Sequence, residues 1–372
     1  MKDPLDYTHA ELQDLGTEEL EKLLAESAYL ESQFNTQQMS EKTLINSLFG
    51  AFANRHFPLF NENLAGAITA NGRYFIQKLA NYIERGLQEL LPQEKRYITY
   101  GDTDSVYFSI AVFMDRYQKK NPGLTMDQYV TWADEFEKKV IQPMIRRTIK
   151  DFSSELHAFN SGIIGVEREI IADVAVFTNR KKYYARIRDN EGTRYPEDSP
   201  KIKVMGLDLI KSSTPPWCKK YLKLAIPHIL DKDEGDLRDW IREIKGEFVQ
   251  VNLNQIAAVG GVSRVDYDLV RDTVPIGSRA AIRHNQYVKA QGIDGKFAPI
   301  QGGDKCKRLF LIQPNKFLSN IVAFTNDSFV QEINGCVDFD TQFQKTFLKP
   351  LELMVAPLGY DLERETGDLD DW

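Results

Sequence analysis

At 372 residues and a formal net charge of −7, with 42% hydrophobic and 27% charged residues, the chain has the make-up of a globular protein of two or three domains. No apolar stretch approaches membrane-spanning length, the opening Met1-Lys2-Asp3-Pro4-Leu5-Asp6 lacks the apolar run of a signal peptide, and Cys218, Cys306 and Cys336, odd in number and far apart, argue against a disulfide framework or a zinc site. The acidic balance speaks against a uniformly basic nucleic-acid surface, yet a groove needs only local positive potential, and Arg146-Arg147, Arg180-Lys181-Lys182 and Lys305-Cys306-Lys307-Arg308 offer it.

Residues 1–16 are polar and read as irregular. Thr17 is placed to cap a helix whose positive end suits Glu18 and Glu19. The apolar spacing of Leu20, Leu23, Leu24, Tyr29 and Leu30 supports that helix, and the pattern runs on through Leu44, Ile45, Leu48 and Phe49 until Asn54 to Pro58. Residues 65–90 form a second helical segment. Residues 95–112 change period: Val106, Phe108 and Ile110 face one way and Ser105, Tyr107 and Ser109 the other, which predicts two strands joined at Gly101-Asp102-Thr103-Asp104. Thr125 opens a further helix, with Gln128 placed for a capping box. Strand-like runs follow at 162–177 and 182–188. From about residue 203 helices at 217–231, 237–251 and 328–350 alternate with Gly- and Pro-rich loops, which places a domain boundary near 201. The fold class expected is α+β.

Two constellations carry chemistry. Asp102 and Asp104 sit at a tight turn between apolar strands, and oxygen-only ligands suit magnesium, which takes one or two carboxylates and completes its shell with water and phosphate. A lone Asp-x-Asp is usually a solvated turn; the wider string from Tyr100 to Ser105 is what raises it. In the helix, Lys42, Asn46 and Phe49 are spaced i, i+4, i+7 and share one face. A cation, an amide and a ring on one stripe suit a triphosphate, a sugar and a base. Singly, each also reads as a solvated lysine, a surface amide and a core phenylalanine.

Together these strings resemble family B DNA polymerases, in particular those of T-even phages. The family's finger motif, Lys-x-x-x-Asn-Ser-x-Tyr-Gly, appears as Lys42-x-x-x-Asn46-Ser47-Leu48-Phe49-Gly50, and its palm motif, Tyr-Gly-Asp-Thr-Asp-Ser, is complete at residues 100–105. Lys181-Lys182-Tyr183-Tyr184 is similar to the element that grips the primer–template duplex. Val166-Glu167-Arg168-Glu169, Glu191-Gly192-Thr193-Arg194-Tyr195, Lys203-Val204-Met205-Gly206-Leu207 and Lys211-Ser212-Ser213-Thr214-Pro215 resemble palm and thumb-entry segments, and Lys345 to Leu351 a late thumb helix. Phe49 departs from the family's tyrosine, keeping the ring and losing the hydroxyl.

The resemblance implies the C-terminal half of the fingers at 1–54, a palm with an antiparallel sheet at 55–200, and a mainly helical thumb with a C-terminal tail at 201–372. It implies dNTP addition to a primer 3′-hydroxyl with two Mg2+ ions. Asp104 is implied as the direct ligand, with Asp102 beside it and Glu169 as an accessory carboxylate; as a plain alternative, Glu169 is a surface residue beside Arg168. Lys42, Asn46 and Phe49 are implied for the nucleotide, Lys42 also as a general acid. Gly50, Lys181, Lys182 and Tyr184 are implied for DNA, with Arg279, Arg283 and His284 as weaker thumb candidates; His284 alone reads better as structural. The family's Asp-x-x-Ser-Leu-Tyr-Pro-type motif, the exonuclease motifs and the first fingers helix are not in these residues. The chain therefore reads as one half of a split polymerase, inactive until a partner supplies the other aspartate and the exonuclease. A sliding clamp is a further expected partner, docked by Gly367-Asp368-Leu369-Asp370-Asp371-Trp372, and no membrane is expected. The cytoplasm of an infected bacterial host is the expected compartment. The competing reading is a non-catalytic DNA-binding remnant of a decayed polymerase gene.

Overall fold

The computed structural model describes residues 7–158, 160–269 and 273–362. In chain order they form helices α1 (His9–Gln13), α2 (Thr17–Phe52) and α3 (Glu62–Leu90), strands β1 (Ile98–Asp102) and β2 (Ser105–Phe108), and helices α4 (Ala111–Lys120), α5 (Met126–Phe136) and α6 (Gln142–Glu155). Strands β3 (Ile170–Asn179), β4 (Lys182–Asn190), β5 (Thr193–Arg194) and β6 (Lys201–Met205) follow, then α7 (Pro216–Asp231), α8 (Glu234–Phe248) and α9 (Leu253–Ile256). The last elements are β7 (Ala258–Gly261), α10 (Ile276–Gln291), β8 (Lys305–Phe310), β9 (Ile321–Phe324), α11 (Val330–Ile333), α12 (Phe339–Phe343) and α13 (Lys349–Val355). Helices and small antiparallel sheets coexist, an α+β fold. No helix among the described residues is long and apolar enough to cross a membrane.

Two compact units emerge, one from Met1–Ser109 with Met144–Ser161, the other from Ile110–Pro143 with Gly162–Trp372. In the first, Asn61 caps α3 by accepting from Leu64 N at 2.9 Å. Leu79, Ile83 and Leu87, four residues apart and buried, form its inner stripe. Phe152 of α6 meets Phe75 at 4.9 Å between ring centroids. Helix α2, by contrast, buries only Leu23 among its residues and leaves Leu24, Tyr29, Met39, Leu44 and Ile45 exposed. Its N-cap position is Gly16, not Thr17, because the Glu19 carboxylate takes up the Gly16 N–H at 3.3 Å. The expected irregular start also contains α1, held by a capping box between Thr8 and Glu11.

In the second unit the capping box at Thr125 and Gln128 forms as expected, with Gln128 Oε1 accepting from Thr125 N at 2.8 Å. A π-helical turn at Glu137–Ile141 links α5 to α6. Strand β4 is the centre of the larger sheet: β3 lies on one edge, and β5 and β6 share the other. The expected strand at 162–177 starts only at Ile170, because Ser161–Ile163 is a 3-10 turn. Aromatic rings fill the core beyond it: Trp217 meets Phe248 at 4.9 Å and Phe347 at 5.6 Å. The expected helix at 328–350 is several shorter pieces, α11, α12 and α13, with a π turn at Gln344–Leu348. The sequence reading missed α10 and the sheet β7–β8–β9, on which Ala280 and Ala281 pack with Cys306, Ile321 and Ala323.

Candidate active site

The aspartate turn is the tip of the β1–β2 hairpin. Asp102 pairs in register with Ser105, leaving Thr103 and Asp104 as the turn, with Thr103 at a φ of 21°. Thr103 Oγ1 donates to Asp102 Oδ1 at 3.0 Å, which fixes that carboxylate at the end of its strand. Asp104 is exposed and, among the described residues, has no ion-pair partner. No group of three or more His, Cys, Asp or Glu that could hold a metal forms among the described residues. Two carboxylates on one exposed turn, with oxygen as the only donor, fit magnesium as a partial ligand set.

In the same unit, Lys42, Asn46, Phe49 and Gly50 are all exposed on α2. The core alternative for Phe49 does not hold, since 37% of it faces solvent. Thr43 and Ser47 turn their hydroxyls back onto the carbonyls of Met39 and Thr43 at 2.7 and 2.6 Å, so they do not compete for a ligand with Lys42 or Asn46.

The second unit carries the other expected residues. Glu169 is exposed and paired with Lys203 of β6. It is not paired with Arg168, whose guanidinium turns inward to Asp189, 1% exposed, and to Asp134 at 3.0 Å. Asp189 also receives Arg194 Nε at 3.0 Å and Gly192 N at 3.0 Å, so this buried carboxylate is fully satisfied. The sequence reading set Glu169 beside Arg168 and did not foresee its pairing with Lys203 or the inward turn of Arg168. The Glu-Arg-Glu alternation was the signal for Arg168, since on an extended chain it sends Arg168 and its flanking glutamates to opposite sides.

The basic turn Arg180-Lys181 joins β3 to β4, with Asn179 opposite Lys182. Arg180 and Lys181 are exposed and Lys182 is half-buried. Lys181 has a φ of 60°, and the backbone of Gly206 lies directly under it: a Cβ added at Gly206 would fall 2.1 Å from the Lys181 carbonyl oxygen. Tyr184, expected on the DNA, is instead a core residue at 0% exposure, with its hydroxyl on the Met354 carbonyl at 3.1 Å. In a strand with period 2, the tyrosine two places past Lys182 faces the same way, and here that side is packed by α13.

In α10, Arg279 and Arg283 are half-buried; Arg283 Nη1 donates to Gln286 Oε1 at 3.2 Å, while the buried Arg279 Nε has no partner among the described residues. His284 is 1% exposed against Phe329, neither of its ring nitrogens has a hydrogen-bond partner among the described residues, and burial pushes its pKa down, so it is a neutral core imidazole. The run Lys305-Cys306-Lys307-Arg308 is not one basic patch. It is β8, whose alternate residues face opposite sides: Cys306 is buried and Lys307 is paired with Asp327 at 2.7 Å. The expected clamp-docking tail, 367–372, lies outside the described residues.

The chain is similar to the DNA-directed DNA polymerases of Escherichia phage RB69, 29% identical over 98% of this chain and 42% of that protein, and Enterobacteria phage T4, 29% identical over 97% and 41%. A shorter likeness, 38% over 77 residues, covers 20% of the chain and 8% of DNA polymerase 1 of Sulfurisphaera ohwakuensis. The chain spans about two fifths of the length of the two phage relatives. The model of DNA polymerase family B matches residues 18–260, from α2 through the aspartate turn and the larger sheet to β7, and the chain belongs to that family.

Proposed function

We propose that this chain is the C-terminal part of a template-directed DNA polymerase, adding dNTPs to a primer 3′-hydroxyl once a segment outside these 372 residues contributes a further aspartate. The observation that carries this reading is the aspartate turn: a complete Tyr100-to-Ser105 string at a hairpin tip with Asp104 exposed and unpaired among the described residues. Asp104 would hold both Mg2+ ions, with Asp102 beside it and Glu169 as an accessory carboxylate released from Lys203. The chemistry that two bound magnesium ions supply is activation of the attacking hydroxyl and neutralisation of charge on the phosphates. Lys42 binds the triphosphate and gives a proton to the leaving pyrophosphate. Asn46 and Phe49 hold the sugar and the base, and Gly50 lets the template strand approach. Lys181, Lys182, Arg279 and Arg283 take backbone phosphates, contacts that ignore base sequence.

On this reading residues 1–54 are fingers, 55–200 palm and 201–372 thumb, and the reaction runs in the cytoplasm of an infected bacterial host. The partners are primer–template DNA, dNTPs, the segment with the exonuclease and the other aspartate, and a sliding clamp met by the tail. The test is primer extension by this chain, by a polypeptide carrying the missing aspartate motif, and by their mixture. Extension by the mixture and by neither component alone is the expected result. Extension by the 372-residue chain alone sinks the shared-site reading, and a mixture that binds primer–template without extending it points to a non-catalytic remnant.

A further inference from the structure

The hairpin that carries Asp102 and Asp104 has only two strands, and a two-stranded hairpin is marginal by itself. The backbone at its open end is held by Glu84 of α3, and the segment leading into it by Gln88 of the same helix. Glu84, with 15% of its side chain exposed, accepts from Ile98 N on Oε2 at 2.8 Å and from Tyr97 N on Oε1 at 3.3 Å. Gln88, one turn further along α3, donates to Glu84 Oε1 at 3.1 Å and to the Lys95 carbonyl at 3.3 Å. Its own Oε1 accepts from Gln93 N at 3.0 Å. Tyr97 is fully buried, with its hydroxyl on the Leu91 carbonyl at 2.5 Å. From Ile98 the strand runs four residues further, to Asp102 at the turn.

That makes the tip sensitive to the root. Four residues of strand span roughly 13 Å, so a rotation of about 10° at Ile98 displaces the turn by about 2 Å. Displacement of a catalytic group by about 1 Å is enough to cost on the order of 100-fold in rate. We infer that Glu84 is a positioning residue for the aspartate turn, fixing where Asp102 and Asp104 stand through the backbone of Tyr97 and Ile98. The inference rests on the polymerase reading of that turn for its catalytic consequence, but the anchoring itself does not. A carboxylate suits the task because each of its oxygens takes one N–H. An amide offers one acceptor and sets an NH2 group against the other donor.

The test compares Glu84→Gln, which keeps size, with Glu84→Ala in the full 372-residue chain. Amide hydrogen exchange at 97–107 is expected to accelerate by about tenfold or more in Glu84→Gln, and further in Glu84→Ala, as hydrogen bonds to a charged group are lost. Amides of Leu79, Ile83 and Leu87 should keep their protection. In the mixture with the aspartate-bearing polypeptide, kcat should fall and half-saturating Mg2+ should rise in the same order, with KM for primer–template unchanged. Hairpin exchange unchanged in both variants overturns the proposal. So does protection lost all along α3, since Glu84 would then serve general stability. If the wild-type mixture fails to extend primers while the hairpin amides respond as expected, the anchoring stands and the polymerase reading falls.

Discussion

The Tyr184 hydroxyl donates to the carbonyl of Met354 at 3.1 Å, a bond between residues 170 apart in the chain. It ties the central strand β4 to α13, near the last of the described residues. Burial raises the phenol's pKa well above its usual value, so the group stays protonated and remains a donor. A residue expected on the strength of its motif to face DNA therefore lies in the core of the second unit.

Replacing Tyr184 with Phe should separate these two roles. The substitution keeps the ring and strands a buried carbonyl, a loss of about 1–3 kcal/mol. Urea unfolding followed by tryptophan fluorescence should show it, because Trp132, Trp217 and Trp240 all belong to the second unit. Primer–template affinity and its salt dependence should not change. An unchanged unfolding midpoint with weakened DNA binding would restore the motif's usual reading for this residue.

The basic turn should behave in the opposite way. Lys181→Ala and Lys182→Ala should each lower the slope of log K against log salt by about 0.9, as expected for one lost phosphate contact on duplex DNA, with little effect on stability. Gly206→Ala should weaken DNA binding without touching a charge. Its φ is 64° and its Cβ would meet the Lys181 carbonyl at 2.1 Å, so the lysine turn has to move. Filter binding across a salt series distinguishes the cases. A Gly206→Ala protein with wild-type affinity would mean that the turn's position does not matter.

Much of this was legible in the sequence. The hairpin at 98–108 announced itself by a change to period 2 around Gly101-Asp102-Thr103-Asp104, the end of α2 at Phe52 by the break expected at Asn54 to Pro58, and α5 by Thr125 and Gln128. Where reading failed, tertiary packing had overruled local pattern. Helix α10 carries Arg279, Arg283, His284 and Asn285, and its buried residues run from Gly277, Ser278, Ala280 and Ala281 to Ile282, His284, Tyr287 and Val288, a mixture of small, polar and apolar side chains from which no hydrophobic stripe stands out. Strand β8 looked like a charge run because three of its six residues are basic. Tyr184 followed its motif in sequence while its side was covered by a helix more than 160 residues away, which no local signal records.

The ion network beneath Glu169 carries a pH dependence. Hydrogen bonding from Lys138, and then the Arg168 charge, hold the Asp134 carboxyl below its usual value against the opposing effect of burial. A carboxyl whose folded pKa is depressed adds stability that is fully present above its unfolded value of about 3.9 and is lost as pH falls through the folded one. Asp134→Asn should therefore destabilise the second unit by about 1–3 kcal/mol at pH 7, and the gap from wild type should close as the pH is lowered below about 4. Urea midpoints at pH 7 and pH 3 test this. A gap that persists at pH 3 would assign the loss to packing and not to the charge.

Asp104→Asn and Lys42→Ala should fail in different ways in the assembled polymerase. Asparagine keeps the size and the turn geometry of Asp104 and removes the charge. Losing one pre-organised electrostatic stabiliser typically costs roughly 3–4 kcal/mol, or about 100- to 1000-fold in kcat, and Asp104 should cost at least that. Binding of primer–template should change little, because Asp104 has no ion-pair partner among the described residues and its loss leaves the proposed phosphate-binding cations in place. Lys42 stands on the exposed face of α2 with Asn46 and Phe49, and removing it should raise the KM for dNTP as well as slow the chemistry. Neither substitution should alter the folded state, since both side chains are exposed and Asp104 has no ion-pair partner among the described residues. Single-turnover rates measured across dNTP and Mg2+ concentrations separate the two. If Asp104→Asn turned over at the wild-type rate, the turn would be structural; if Lys42→Ala changed only DNA affinity, the α2 stripe would face the duplex and not the nucleotide.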